Sequence, residues 1–171
     1  MAKRDQHYEN AFQDYLRSRG IPYVSVNEHR QAIFAGRKIK SFDFLVYPGG
    51  SRHWIVDVKG RHFPYLDPTG SKRCWENWVV EEDLRGLQEW EAVFGDDFAG
   101  YFLFAYLLLE PEKRRPSGQP HVFGGHEYVF WAVRSEDYEQ HCRKRSTRWG
   151  TVSVPTRLFR DIALPVEALL P

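Results

Sequence analysis

Apolar side chains recur at intervals of three and four between Asp5 and Arg19, where Tyr8, Ala11, Phe12, Tyr15 and Leu16 form one stripe. That spacing predicts an amphipathic helix. Gly20-Ile21-Pro22 ends it, because proline disfavours helical geometry at the residue before it. Tyr23 to Val26 reads as a first strand. Alternation of β-branched and aromatic residues predicts a second strand from Ile39 to Tyr47 and a third from His53 to Lys59. Pro48-Gly49-Gly50-Ser51 between them is turn chemistry. With the turn centred near Gly50, Asp43 lies opposite Asp57, and Ser41 opposite Lys59.

Gly60 to Trp78 reads as a long irregular loop, broken by Pro64, Pro68 and Gly70. Val79 to Phe94 shows a second helical stripe through Val80, Leu84, Leu87, Trp90 and Phe94, closed by Gly95. Tyr101 to Leu109 is apolar throughout and predicts a buried central strand. A polar loop from Pro111 to Pro120 precedes a strand from Glu127 to Val133. Ser135 caps a short helix from Glu136 to about Arg145, Thr151 to Val154 forms an edge strand, and Pro155 to Ala163 makes a helical turn. The order predicts an α/β fold: one domain over residues 1–171 with a mixed sheet flanked by helices. Its αβββαβ core covers about residues 5–110, and a strand and helix extension follows over about 121–171. No glycine-rich dinucleotide or P-loop fingerprint is present.

Composition narrows the class. With 171 residues the chain can bury a substantial core, and six Trp, nine Tyr and twelve Phe enrich it in aromatics. No apolar run reaches membrane-spanning length, and the polar start lacks a signal-peptide core, which predicts a cytoplasmic protein. Cys74 and Cys142 have no spacing that suggests a disulfide framework or a zinc site. The net charge is only +1, but it is unevenly spread. Arg143, Lys144, Arg145 and Arg148 make one basic cluster. Arg37, Lys38 and Lys40 make another just ahead of Asp43, and Arg61 follows the third strand. Such clusters beside an acidic site suit a phosphodiester backbone.

The chemistry concentrates on the hairpin. Like charges directly opposed across two strands are destabilising, so Asp43 facing Asp57 is most easily tolerated with a cation between them. The period of two puts Lys59 on the same face as Asp57, with Val56 and Val58 on the other. His53 and His62 flank the hairpin without a partner that would mark them as proton carriers. Ser41 and Cys74 lack a base for nucleophilic catalysis.

Asp43, Asp57-Val58-Lys59 and Glu9 on the preceding helix together resemble the PD-(D/E)xK nuclease superfamily, in an order most similar to its archaeal Holliday-junction resolvase branch. Phe42 stands where the superfamily's name has proline. His7-Tyr8-Glu9-Asn10-Ala11-Phe12-Gln13 is also similar to an uncharacterised bacterial family named for a HYExAFE motif, with Gln13 in place of the last Glu. The nuclease resemblance implies that Asp43, Asp57, the Val58 carbonyl and Glu9 hold Mg²⁺ or Mn²⁺, hard cations that favour oxygen donors. It implies that Lys59 orients the attacking water or offsets charge on the phosphate. Several branches carry a glutamine on the second helix, which Gln88 matches.

The function implied is metal-dependent endonucleolytic hydrolysis of DNA, with RNA also compatible. Lys38, Lys40, Arg61, Arg143, Lys144, Arg145 and Arg148 would contact the nucleic acid. Cutting both strands would suit a homodimer, with Ile162, Leu164, Leu169 and Leu170 as one contact. The alternative is an inactive nuclease fold that binds nucleic acid or a partner protein.

Overall fold

The computed structural model describes residues 2–26, 32–34 and 36–170. Helix α1 (Ala2–Ser18) leads into β1 (Tyr23–Ser25), a small hairpin of β2 (Ala32–Phe34) and β3 (Arg37–Ile39), then β4 (Phe44–Val46) and the long β5 (His53–Phe63). A second small hairpin, β6 (Tyr65–Leu66) and β7 (Lys72–Arg73), is followed by β8 (Val79–Val80), α2 (Glu81–Phe94) and β9 (Phe98–Leu108). The remainder comprises β10 (His121–Phe123), β11 (His126–Arg134), α3 (Ser135–His141), β12 (Arg143–Ser146), β13 (Thr151–Ser153), α4 (Thr156–Ile162) and β14 (Leu164–Pro165), ending in a 3₁₀ turn.

Seven strands form the central mixed sheet in the order β1-β4-β5-β9-β11-β10, with β14 also on β11. β5 and β9 run parallel, and the other neighbours are antiparallel. The predicted α/β fold and the αβββαβ order are borne out. Alternation along each strand divides the core in two. Val56, Leu103, Ala105 and Phe130 meet Phe12 and Leu16 of α1 on one face. Ile55, Phe102, Phe104 and Trp131 meet Leu84 and Leu87 of α2, Tyr138 of α3 and Phe159 of α4 on the other. Among the described residues, no helix is long and apolar enough to cross a membrane.

Five expectations need correction. The strand predicted from Ile39 to Tyr47 is two strands, and Ser41 does not face Lys59. The segment between them is drawn toward α2: Trp90 donates through Nε1 to the Lys40 carbonyl at 2.8 Å, and Phe42 packs edge-on against Trp90. The register of the hairpin is otherwise as expected, with Phe44 opposite Val56 and Val46 opposite Trp54.

The predicted loop after Lys59 begins too early. β5 continues to Phe63 because β9 pairs with it residue by residue, from His53 beside Phe98 to Phe63 beside Leu108. A buried strand leaves no backbone group without a partner, and that requirement outweighs the break expected at Gly60. Val79 and Val80 form a strand rather than the first turn of α2, because they pair with Val152 and Thr151. The helix predicted to about Arg145 ends at His141: Arg143 and Lys144 turn into β12, opposite Ser153 and Val152. β13 is therefore the middle of a three-stranded sheet, β12-β13-β8, and not an edge.

Candidate active site

β4 begins only at Phe44, while β5 runs on beyond Val56, the partner of that residue. The outer side of β5 past that point faces a cavity of about 900 Å³, whose lining includes Glu9, Asp43, Asp57, Lys59 and Asp83. Strand alternation sends Asp57 and Lys59 toward α2, with Val58 and Gly60 on the side of α1. Gly60 matters there: a Cβ at this position would overlap the Tyr8 ring. The missing side chain lets α1 lie directly on β5, which brings the half-buried Glu9 to the cavity wall.

Asp43, Asp57 and Asp83 are 6%, 8% and 5% exposed. The Asp43 carboxylate accepts the Val58 N–H at 2.6 Å, and the Asp43 N–H donates to the Val56 carbonyl at 2.9 Å. These two bonds tie Asp43 to the strand that bears Asp57. Lys59 Nζ lies 2.8 Å from Asp57 Oδ1 and 2.7 Å from Asp83 Oδ2. Lys40 pairs with the other Asp83 oxygen. The result is a chain of alternating charge, Asp57–Lys59–Asp83–Lys40, whose first three members line the cavity.

Burial pushes Asp57 up to about 6 despite the neighbouring Lys59, and the charge of Asp83 adds to the rise. Burial works against the Lys59 charge too, but Asp57 and Asp83 outweigh it and hold the ammonium above its ordinary range. Asp83 goes the opposite way from Asp57: burial is overcome by Lys59 and Lys40, so it stays ionised below the usual carboxylate range.

Asp83 escaped the sequence reading, and α2 presents it to the site where Gln88 was expected. Gln88 is half-buried and is not among the residues lining the cavity. Glu81-Glu82-Asp83 resembles the acidic first turn that a helix dipole favours. A signal was nonetheless present: Asp83 precedes Leu87 by four residues, so it occupies the apolar stripe of α2 rather than its polar face.

The basic residues divide. Lys40 is engaged with Asp83. Arg61 donates to the Gly60 and Trp78 carbonyls, with its guanidinium 4.0 Å from the centre of the Trp78 ring. Arg145 lines the cavity mouth, 5.4 Å from the same ring. Arg143, Lys144 and Arg148 are exposed on β12 and the turn after it, Lys144 at 3.7 Å from Glu81. Lys38 is exposed on β3, and the Arg37 side chain lies outside what is described. His53 packs between Tyr47 and Phe98, away from the cavity, while His62 lines it.

Among the described residues, no group of three or more His, Cys, Asp and Glu side chains is arranged to hold a metal ion. The donor set at hand is Asp43, Asp57 and the main chain at Val58, with Glu9 across the cavity. In donor chemistry these residues suit Mg²⁺ or Mn²⁺, which take oxygen ligands and retain several waters.

This architecture, a mixed sheet between α1 and α2 with Asp57 and Lys59 midway along β5 and Asp43 just ahead of β4, is shared with a solved structure. The solved structure of Archaeoglobus fulgidus Hjc, a Holliday junction resolvase from an archaeal hyperthermophile, matches it over 97% of this chain and 99% of that chain. The TM-score is 0.55 at 12% sequence identity, a likeness of fold. No family model and no curated protein matches the chain.

Proposed function

We propose that residues 1–171 form a single metal-dependent nuclease domain that hydrolyses DNA phosphodiester bonds endonucleolytically. The observation that carries this reading is the Lys59 ammonium, held by two buried carboxylates beside Asp43 on the floor of an open cavity in a nuclease fold. Asp43, Asp57 and the Val58 carbonyl would hold Mg²⁺ or Mn²⁺, with Glu9 adding a carboxylate. The ion supplies Lewis acidity that lowers the pKa of water and offsets phosphate charge. Lys59 remains protonated through the neutral range and directs a fixed N–H donor at the scissile phosphate, where negative charge grows in the transition state. Arg145 at the mouth attracts the backbone. The chemistry serves RNA equally.

Cleavage of linear duplex, single strand, flap and four-way junction with Mg²⁺ or Mn²⁺ tests the proposal, with Lys59→Ala purified in parallel. Activity present in the wild type and absent from the variant supports it. Equal activity in both places the cleavage elsewhere. A second reading keeps the fold as a binding module, and the internal pairing of Lys59 with both Asp57 and Asp83 is the observation on its side. Binding of nucleic acid with no cleavage under any metal would favour it.

A further inference from the structure

The stretch 143–153 holds four basic side chains and no acidic one. It folds as the β12–β13 hairpin, whose inner positions Thr151 and Val152 are buried against β8 while Arg143, Lys144 and Arg145 face outward. The Glu81 N–H donates to the Gly150 carbonyl at 2.8 Å, which seats the hairpin turn on the start of α2, next to the cavity wall at Val79 and Val80. At that turn Trp149 is 67% exposed, with the Arg148 guanidinium 5.1 Å from the ring centre. Tyr65, which lines the cavity, is a second exposed aromatic. The cavity lining thus carries Tyr65 and Arg145, and the hairpin that bears Arg145 carries Arg148 and Trp149 at its turn.

That combination has a specific chemical use. Bases stack on exposed aromatic side chains and phosphates pair with neighbouring cations, with little dependence on sequence. A continuous duplex hides the faces of its bases and can use only the cations. We infer that the cavity mouth and the β12–β13 hairpin form a track for single-stranded or locally unpaired nucleic acid, with Tyr65 and Trp149 as stacking platforms and Arg145 and Arg148 as phosphate contacts. The inference deepens the nuclease reading by naming its substrate class, and it rests on that reading only for the cleavage that follows binding.

Fluorescence anisotropy in EDTA tests it without cleavage, using a labelled DNA single strand, the same sequence as a blunt duplex, and a duplex with a single-stranded tail. The single strand and the tailed duplex should bind more tightly than the blunt duplex. Trp149→Ala should weaken the single strand at least about fivefold, and Trp149→Phe should restore most of the loss. Arg148→Ala should weaken all three DNAs and lower the salt slope by about one. Trp149 is on the surface, so circular dichroism should show both Trp149 variants folded. Equal affinity for single strand and blunt duplex, or a folded Trp149→Ala with unchanged single-strand affinity, overturns the track and leaves the nuclease reading standing. Failure of the wild type to bind the single strand or the tailed duplex overturns the track too, while the nuclease reading falls only if cleavage with Mg²⁺ or Mn²⁺ is absent or survives in Lys59→Ala.

Discussion

Lys59 lies between two buried carboxylates, with its Nζ 2.8 Å from Asp57 Oδ1 and 2.7 Å from Asp83 Oδ2. Asp57 sits two residues away on the same strand, whereas Asp83 arrives from α2. The helix thereby fixes the direction in which the ammonium points.

Asp83→Asn removes half of that clamp and keeps its shape. A displacement of about 1 Å in a catalytic group can cost about a hundredfold in rate. Single-turnover cleavage should fall about 10- to 100-fold, while DNA affinity measured without metal changes little. Lys59→Met should do more harm to the fold, because it leaves Asp57 and Asp83 buried without their shared cation. Breaking a buried pair on one side costs about 3–5 kcal/mol, and a urea melt would show it.

Asp57 links the site to pH. Its ordinary value of 3.8 is raised to about 6 in the folded protein. The native state therefore holds the proton more tightly than the unfolded chain. The stability this gives is fully present below about pH 4 and is lost as pH rises through about 6. Asp57→Asn has no such proton to lose. In EDTA, the Tm difference between variant and wild type should shift in the variant's favour as pH is raised across that window. Adding Mn²⁺ should raise the wild-type Tm more above pH 6 than below it, since the metal binds the ionised carboxylate. A Mn²⁺ effect that ignores pH and survives in Asp57→Asn would place the metal elsewhere.

Gly60 controls how closely α1 approaches β5. Gly60→Ala forces a methyl into the Tyr8 ring, an overpacking that typically costs about 1–3 kcal/mol. The helix must shift, and Glu9 shifts with it. The variant should lose more cleavage than its stability loss explains, and Gly60→Ala combined with Tyr8→Leu should recover part of both. Thermal melts and cleavage rates on the same preparations would separate the two effects.

The hairpin carrying Asp43 and Asp57 was legible because strand alternation and a Gly-rich turn are local signals, and they set the register of Phe44 against Val56. The residues around it were not legible for the same reason. β5 extends to Phe63 only because β9 lies beside it, and nothing between Gly60 and Phe63 announces that neighbour. Arg143 to Arg145 continue the pattern of a short helix in sequence, but in the fold β13 offers them a ladder. Asp83 is separated from Lys59 by a full loop in sequence and meets it only in the folded protein. Sequence patterns mark the strands and helices that carry a site, whereas long-range pairing decides which acid on a helix enters it.

Asn77 is where that long-range pairing is concentrated. It is buried, and its side chain forms a two-way bond with Val154: Nδ2 donates to the Val154 carbonyl at 2.9 Å, and Oδ1 accepts the Val154 N–H at 2.9 Å. The Asn77 carbonyl also accepts the Tyr138 hydroxyl at 2.7 Å. One residue thus joins the segment before β8 to the end of β13 and to α3, which holds the basic hairpin beside the cavity. Asn77→Ala leaves both backbone groups of Val154 buried and unmet, at about 1–3 kcal/mol for each. Asn77→Asp keeps the acceptor for the Val154 N–H and loses the donor to its carbonyl, so it should be intermediate. Limited proteolysis should cut the alanine variant first within the β12–β13 hairpin, and single-strand affinity should fall with it. A hairpin that stays protected in Asn77→Ala would show that β8 alone is enough to hold it.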